Sequence, residues 1–317
     1  MGWAVWSHHM FTVGLGPVAN SVFALTTMFI AVPTGVKIFN WMGTMWGGSI
    51  SLKTPLLFSV GFIAMFVIGG LSGIMHSIAP SDAQQQDTYF IVAHLHYVLF
   101  GGSIFAIFSG IYYWFPKATG RMLSDKIGQV HFWLTLIGFN IAFFPMHFVG
   151  MDGMPRRQVT YDASMGWEFW NLISTIGSFV IVLSVIVFLH NFFRSLRRGE
   201  IAGNDPWDGR TLEWSISSPP PEYNFATIPV VHGRDDFWEK KQSAGTSIPA
   251  GVSDENDEGH GIHMPTPSYI PIIVALGLFL AAYGLIYHFA AAVVGATITM
   301  VGVYAWAMEP ATEPTED

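Results

Sequence analysis

Residues 89–111, YFIVAHLHYVLFGGSIFAIFSGI, contain no Asp, Glu, Lys or Arg and are long enough to cross a bilayer as a helix. A hydrocarbon core about 30 Å thick needs about 20 helical residues, each rising about 1.5 Å. In lipid, a helix satisfies its own backbone polar groups, whereas an open sheet leaves its edges unpaired. This stretch therefore predicts a membrane-spanning helix.

Comparable apolar stretches recur, separated by turns rich in Gly, Pro and charged residues. The chain is 51% hydrophobic and 11% charged, and its mean hydropathy is +0.42. The sequence therefore predicts an all-α, polytopic transmembrane helical bundle with about seven membrane spans. The predicted spans are roughly 18–45, 55–76, 88–115, 128–150, 168–193, 268–289 and 290–307.

Charge and composition exclude several classes of protein. A net charge of −8 with 14 Lys and Arg leaves no basic surface for a nucleic acid partner. The sequence has no cysteine, which excludes disulfides, thiolate zinc sites, iron–sulfur clusters and c-type haem attachment within the chain. Metal chemistry would depend on His, Met or carboxylates, and the chain has 12 histidines.

The spans divide the chain into three regions. Residues 1–195 hold five spans, residues 196–265 form a polar, solvated linker, and residues 266–317 form a two-helix transmembrane hairpin with an acidic tail. Lys and Arg cluster after the third and fifth spans, which predicts that these connections face the cytoplasm.

His94 and His96 lie two residues apart inside the third span. On a helix this spacing rotates the side chains by about 200°, so the two imidazoles project from nearly opposite faces. They cannot hold one ion together, but each can ligate the iron of a separate haem. The alternative is a pair of core histidines, each bonded to a carbonyl or a water. Ionisable groups inside a span are costly and usually functional, which favours ligation.

His8 and His9 form a second, adjacent pair. They suit a copper ion, which accepts several neutral imidazoles, with a third ligand from elsewhere. Equally, they could lie at a membrane interface without a ligand role. The other histidines, including His76 and His131, receive no predicted role.

Lys37 lies inside the first span without an acidic residue within a turn of it. A buried, unpaired ammonium is costly there, so we interpret Lys37 and Thr34, which share one helix face, as part of a proton path. The alternative is a lysine that snorkels from the end of the span.

Arg156 and Arg157 are permanent cations that suit carboxylates, such as the propionates of haems beneath them. The alternative is a pair of exposed surface arginines. Asp87, just before the helix that bears His94, could cap that helix or bind a hard cation, and capping is the simpler explanation.

Four motifs, in order and with matching spacing, resemble subunit I of the haem–copper terminal oxidases, and they are most like the cytochrome c oxidase branch. The resemblance covers roughly residues 1–195, which correspond to the C-terminal half of that subunit. The motifs are WSHHMFTVG at 6–14, IAVPTGVK at 30–37, DTYFIVAHLHYVL at 87–99 and GMPRR at 153–157.

The resemblance implies a core catalytic subunit that reduces O2 to water with electrons from cytochrome c, coupled to proton pumping. It implies two haems, a-type, one low-spin and one high-spin, and the copper of a binuclear centre. The implied roles are copper for His8 and His9, the high-spin haem iron for His94, the low-spin haem iron for His96, haem propionates for Arg156 and Arg157, and the proton pathway for Thr34 and Lys37.

Two departures from the family pattern matter. The family has a His-Asp pair that helps to hold a magnesium ion near subunit II, whereas this chain has Gln86-Asp87, which leaves magnesium to Asp87. The third copper ligand and the second ligand of the low-spin haem belong to the family's N-terminal half, upstream of the position that matches Met1. The implied partners are therefore that half, as a separate or missing chain, subunit II with its dinuclear copper site, the remainder of subunit III, cytochrome c or an equivalent donor, and membrane lipid.

Residues 263–271, HMPTPSYIP, followed by two spans, resemble the start of subunit III. This favours a multi-pass protein of a bacterial plasma (inner) membrane over a mitochondrial one. Three alternatives stay open: a catalytically silent fragment or assembly piece of a split subunit I, a quinol-oxidising member of the same superfamily, and a b-type haem protein without copper.

Overall fold

The computed structural model describes residues 2–226, 228–243 and 268–309. This part of the chain is helical and contains no β-strand, so the predicted all-α class is confirmed. The α-helices are α1 Pro17–Phe29, α2 Ala31–Met45, α3 Thr54–Ser77, α4 Ala79–Gln85, α5 Tyr89–Leu99, α6 Phe105–Thr119, α7 Asp125–Phe143, α8 Pro145–Met151, α9 Glu168–Arg198, α10 Asp236–Ser243, α11 Ile270–Tyr287 and α12 Phe289–Ala307.

Seven apolar stretches of these helices are long enough to cross a membrane, as the sequence predicts. Their limits lie within a few residues of the predicted spans. They are Pro17–Met45, Thr54–Ser77, Tyr89–Thr119, Asp125–Met151, Glu168–Arg198, Ile270–Tyr287 and Phe289–Ala307.

Two spans are interrupted for local reasons. α1 ends at Phe29, four residues before Pro33, whose ring clashes with that carbonyl and whose nitrogen cannot donate to it. Between α5 and α6 the chain makes a π-helical turn, Phe100–Ile104. There, a Cβ on Gly101 would lie 2.8 Å from Met65 Cβ, so only glycine allows this contact with α3. The turn separates the span into its two helices, α5 and α6.

α3 lies at the centre of the first compact unit, which extends to Pro219, and it packs on α5, α6 and α7. Phe58 of α3 is completely buried against the rings of Phe105 and Phe132. A Cβ on Gly69 would lie 2.9 Å from the Tyr97 carbonyl carbon, so glycine lets the backbones of α3 and α5 approach closely. This approach fixes the position of α5, which carries the paired histidines.

The first part of the predicted linker packs onto the helical unit. Lys117, near the end of α6, donates from Nζ to the carbonyl oxygens of Asn204, Ile216 and Ser217 at 3.1, 2.8 and 3.2 Å. Trp214 is 2% exposed, and its Nε1 donates to Tyr113 Oη at 3.1 Å. The compact unit therefore continues beyond residue 195, whereas residues 244–267, with the acidic run of the linker, lie outside the described residues.

The second compact unit begins at Pro220 and contains α10 and the predicted hairpin, α11 and α12. Small residues bring the two hairpin helices together, since a Cβ on Gly284 would lie 2.0 Å from the Ala292 nitrogen. Ser268 Oγ donates to Glu309 Oε1 at 2.7 Å and joins the two ends of the hairpin. The acidic tail from residue 310 lies outside the described residues.

Candidate functional site

α5 holds His94 and His96, and its start is fixed by Thr88. The Thr88 side chain accepts a hydrogen bond from the Phe90 backbone N–H at 3.2 Å, as an N-cap does. The prediction that Asp87 caps this helix is therefore wrong. Asp87 has a left-handed φ of 58°, and its carboxylate contacts Arg156 Nη2 at 2.5 Å instead.

His94 faces α3. Its Nδ1 lies 2.9 Å from the Gly69 carbonyl oxygen and 2.9 Å from Ser72 Oγ. A carbonyl oxygen only accepts hydrogen bonds, so Nδ1 carries the proton and Nε2 of the neutral ring keeps its lone pair. This is the arrangement in which metal-ligating histidines are usually held. A Cβ on Gly73 would lie 3.1 Å from His94 Cε1, so glycine leaves room for the imidazole.

His96 faces α7, on the opposite side of α5. Its ring stacks on Phe143 with centroids 4.1 Å apart and an interplanar angle of 15°. Its Nδ1 lies 2.7 Å from the Val92 carbonyl oxygen, which again leaves Nε2 as the lone-pair nitrogen. Both imidazoles of α5 thus fit a haem iron, and the two irons would lie on opposite sides of one helix.

His8 and His9 lie on a 3₁₀ turn, Trp6–Met10, that precedes α1. Their Nε2 atoms are 3.0 Å apart, and His8 Nδ1 lies 3.3 Å from Thr27 Oγ1. Two nitrogens at right angles, each about 2.0 Å from one ion, would be about 2.8 Å apart, so the pair fits a shared copper ion. Among the described residues, no three His, Asp or Glu side chains gather to hold a metal, so the pair would need a ligand from elsewhere.

Partial burial favours the neutral form of the His8 and His9 imidazoles. Partial burial, and then the neighbouring His9, lower the pKa of His8 below its ordinary value. Partial burial also lowers the pKa of His9, and Arg156 adds to this effect while Asp82 opposes it. Neutral imidazole is the form that binds metal.

Arg156 is held by Asp87 in two ways. Besides the side-chain pair, the Arg156 backbone N–H donates to the Asp87 carbonyl oxygen at 2.7 Å. Arg156 Nε is buried and has no hydrogen-bond partner, so it can still donate to an anion such as a propionate. Arg157 is exposed and adopts a left-handed φ of 66°. Asp87, the residue predicted for magnesium, is thus engaged by a cation.

Lys37 and Thr34 lie apart from the histidines. Lys37 is exposed on α2, and its Nζ lies 5.9 Å from the centre of the Trp41 ring. The Thr34 hydroxyl donates to the Ile30 carbonyl oxygen at 2.9 Å. None of the residues of α1 and α2 is buried.

His76 has no role predicted from the sequence, but the centre of its ring lies 4.9 Å from that of the His94 ring. His76 Nδ1 lies 3.3 Å from the buried carboxylate of Asp82. Helical spacing could have identified it, because Gly69, Ser72, Gly73 and His76 follow the i, i+3, i+4, i+7 pattern of one helix face.

Buried polar atoms without a hydrogen-bond partner concentrate around this face of α3 and the following helix. They include His76 Nε2, Asp82 Oδ2, Gln85 Oε1 and Gln86 Oε1, and within the described residues His76 Nδ1 has only its 3.3 Å contact with Asp82, which lacks hydrogen-bond geometry. Buried polar atoms nearly always have a protein or water partner, so a cluster of this kind is typical of a ligand or water site. The region beside His94 therefore fits a group with a polar edge.

Residues 1–180 match the family model for Cytochrome C and Quinol oxidase polypeptide I. The chain is also 52% identical to cytochrome c oxidase subunit 1 of Bacillus sp. (strain PS3), over 91% of this chain and 46% of that protein. This chain belongs to the cytochrome c and quinol oxidase polypeptide I family. Members of this haem–copper oxidase family are oxidoreductases of electron transport that bind haem and copper and work with other subunits.

Other relatives agree with this assignment. Quinol oxidase subunit 1 of Bacillus subtilis (strain 168) is 43% identical over 91% of this chain and 44% of that protein. A chain from a heme-copper terminal oxidase dimer, solved by cryo-electron microscopy, shares the fold with a TM-score of 0.54, 16% identity and coverage of 62% of this chain and 40% of that chain. The chain thus spans about half the length of the curated relatives it matches. The seven apolar helices and the bacterial relatives make it a multi-pass protein of a bacterial plasma membrane.

Proposed function

We propose that this chain is the C-terminal part of the catalytic subunit of a respiratory oxidase that reduces O2 to water with electrons from cytochrome c and pumps protons. The observation that carries this proposal is the arrangement of His94 and His96. The two imidazoles leave opposite faces of α5, and a backbone carbonyl oxygen engages each Nδ1. Two haems on either side of one helix would be close enough to exchange electrons.

In this proposal His94 and His96 ligate the high-spin and low-spin haem irons, and His8 and His9 ligate copper. When bound, two a-type haems and the copper supply the electron transfer and the oxygen chemistry. The chain orients their ligands, since the Gly69 and Val92 carbonyl oxygens set which nitrogen of each α5 imidazole faces the iron. Partial burial keeps His8 and His9 in the neutral, ligating form.

The remaining proposed roles concern charge. Arg156 and Arg157 hold haem propionates, with the buried Arg156 Nε as the donor that has no partner in the described chain. Lys37 and Thr34 belong to the proton path. Asp87 is proposed for magnesium, which would share its carboxylate with Arg156.

The proposed partners come from the family resemblance, and the incomplete ligand sets call for the first of them. They are the N-terminal half of subunit I, subunit II with a dinuclear copper site, the remainder of subunit III, and cytochrome c as the donor. Residues 1–195 would be the oxidase part, residues 196–265 a linker whose first part, to Pro219, belongs to the same compact unit, and residues 266–317 a hairpin equivalent to the start of subunit III.

Two alternatives have support. The first is a quinol-oxidising member of the same superfamily, since the chain is also 43% identical to a quinol oxidase subunit 1. The second is a catalytically silent fragment or assembly piece, since the described residues hold no group of three possible metal ligands. Turnover of the tagged complex with reduced cytochrome c, and separately with a quinol, distinguishes these alternatives from the main proposal.

The direct test is purification through a tag on this chain, followed by measurement of haem and copper and identification of co-purified chains. Two haems and one copper, together with a polypeptide that supplies the missing histidines, would support the proposal. A complex that keeps both haems but lacks copper would instead be a haem electron-transfer protein. A preparation with neither cofactor would favour the silent fragment.

A further inference from the structure

A cavity of 940 Å³ lies between α2, α3 and α6, away from the predicted haem and copper ligands, none of which lines it. It lies at the end of the unit that carries Lys117 and Arg121, which the charge distribution assigns to the cytoplasmic side. Its apolar walls include Trp41, Leu56, Phe62, Ile63, Ala106 and Trp207.

The interior of the cavity needs no polar group from a ligand. Ser109 Oγ donates to the Pro55 carbonyl oxygen at 2.7 Å, and the Ser59 hydroxyl bonds to Ser109 Oγ at 2.7 Å. In the described part of the chain, no buried polar atom without a partner belongs to a residue that lines the cavity. Trp41 and Phe62, which both line the cavity, meet edge to face with centroids 5.0 Å apart. Lys37 does not line the cavity, and its Nζ lies 5.9 Å from the centre of the Trp41 ring. Such a space suits hydrocarbon better than water.

The mouth of the cavity has the opposite character. Lys53, just before α3, has no ion pair and no side-chain hydrogen bond within residues 2–226, 228–243 and 268–309. The nearby Asp125 carboxylate is already engaged by the Thr54 N–H and hydroxyl, both at 2.8 Å, and by Gln129 Nε2 at 2.9 Å. Within that part of the chain Lys53 is therefore a cation without an ion-pair partner, although the Asp125 carboxylate, which neutral donors hold, also lines the cavity.

Tryptophans mark this level as the membrane interface. Trp114 and Trp207 line the cavity, three residues before Lys117 and in the segment that packs on Lys117, and Trp207 Nε1 donates to the Tyr113 carbonyl oxygen at 2.8 Å. Tryptophan is enriched where lipid headgroups meet the hydrocarbon core. A cation at that level, above an apolar interior, matches a lipid with an anionic headgroup.

We propose that this cavity binds one anionic phospholipid, with an acyl chain between α2, α3 and α6 and its phosphate on Lys53. The lipid would fill the gap where α2 diverges from α3 and hold the cytoplasmic end of α2 in place. This site is separate from the proposed haem and copper ligands and does not depend on the identity of the electron donor.

The first test fills the cavity. Ala106→Phe places a ring in the acyl-chain space, whereas the control Ala64→Phe adds the same ring on an exposed face of α3 that does not line the cavity. Each variant is purified in its complete complex from vesicles of phosphatidylglycerol and washed in detergent, and retained lipid is measured by native mass spectrometry. We expect at least a tenfold loss of the retained phospholipid for Ala106→Phe and none for Ala64→Phe, with haem spectra unchanged in both.

The second test removes the cation. Lys53→Gln is expected to weaken retention of phosphatidylglycerol about fivefold, the usual effect of one interfacial lysine, without changing that of phosphatidylcholine. Lys126→Gln, another exposed lysine at the same end of the bundle, is the control. Equal retention in all four variants would overturn the proposal, as would a cryo-electron microscopy map that shows ordered water only, or a companion polypeptide, in the cavity.

Discussion

Replacing Gly73 with alanine tests how the His94 imidazole is held. The new Cβ would lie 3.1 Å from His94 Cε1. Carbon atoms pack at about 3.5–4.0 Å, so the ring must retreat by about 0.4 Å or more. The hydrogen bond from Nδ1 to the Gly69 carbonyl oxygen is 2.9 Å long. A retreat of about 0.4 Å away from that oxygen takes it beyond the roughly 3.2 Å limit of a good N–H···O bond.

Loss of an outer hydrogen bond of this kind costs about 10–100-fold in metal affinity, and we expect the lower end because the ring can also tilt. The assay is the iron–imidazole stretching band of the reduced complex, read by resonance Raman spectroscopy, with carbon monoxide binding as a measure of high-spin haem. We expect a shifted band and less high-spin haem, while the low-spin haem spectrum stays unchanged because His96 lies on the other face of α5.

Gly70→Ala is the matched control. It lies three residues earlier on α3, and a Cβ there meets nothing within 4 Å. Both substitutions gain the same helix propensity, about 1 kcal/mol, so a difference between them reports on His94 alone. An unchanged band in Gly73→Ala, or an equal shift in Gly70→Ala, would refute the reasoning. A change confined to the low-spin haem would mean that the two histidines are assigned to the wrong haems.

Three further substitutions test other parts of the chain. His96→Ala should abolish the low-spin haem spectrum and leave carbon monoxide binding by the other haem, as optical difference spectra would show; a retained low-spin spectrum would contradict the assignment. Lys37→Met should leave both haems bound and slow oxygen consumption, and normal turnover would remove Lys37 from the proton path. Lys117→Met should loosen the packing of residues 199–219 on the helices. Three carbonyl oxygens lose their hydrogen bonds to the Lys117 ammonium, and each such bond is worth about 1.5–3 kcal/mol. Faster tryptic cleavage after Arg210 than in a Lys126→Met control would show this loosening, and equal rates would argue against it.

The membrane spans could be predicted because lipid leaves the backbone few choices. An apolar stretch of sufficient length has to be helical there, so composition alone gives both the element and its approximate ends. The opposite orientations of His94 and His96 follow from the same rule, since helical geometry separates residues two apart by about 200°. The sequence does not predict the break between α1 and α2, since residues 18–45 form one predicted span, although Pro33 explains why α1 ends at Phe29.

Contacts between distant parts of the sequence could not be predicted. A polar segment after α9 is typical of a solvated linker, yet Lys117 binds its carbonyl oxygens and Trp214 is buried under Tyr113. Asp87 is a good N-cap by residue type, but its pairing with Arg156 leaves capping to Thr88. In each case a partner about 70 to 100 residues away in the sequence decides which contacts the residue makes. The local sequence pattern does not indicate that partner.

The position of Lys37 bears on what covers α2. The residue lies inside the Pro17–Met45 span, eight residues or about 12 Å from its end, and its side chain is exposed. Exposure of an ammonium to lipid near that depth costs roughly 2.5–3.5 kcal/mol by insertion scales. The Trp41 ring, 5.9 Å away, lies at the edge of cation–π range and offsets about 0.5–1 kcal/mol of this. Lipid is therefore an unfavourable neighbour for the Lys37 ammonium itself, and we infer that polypeptide or water covers Thr34 and Lys37 in the assembled oxidase.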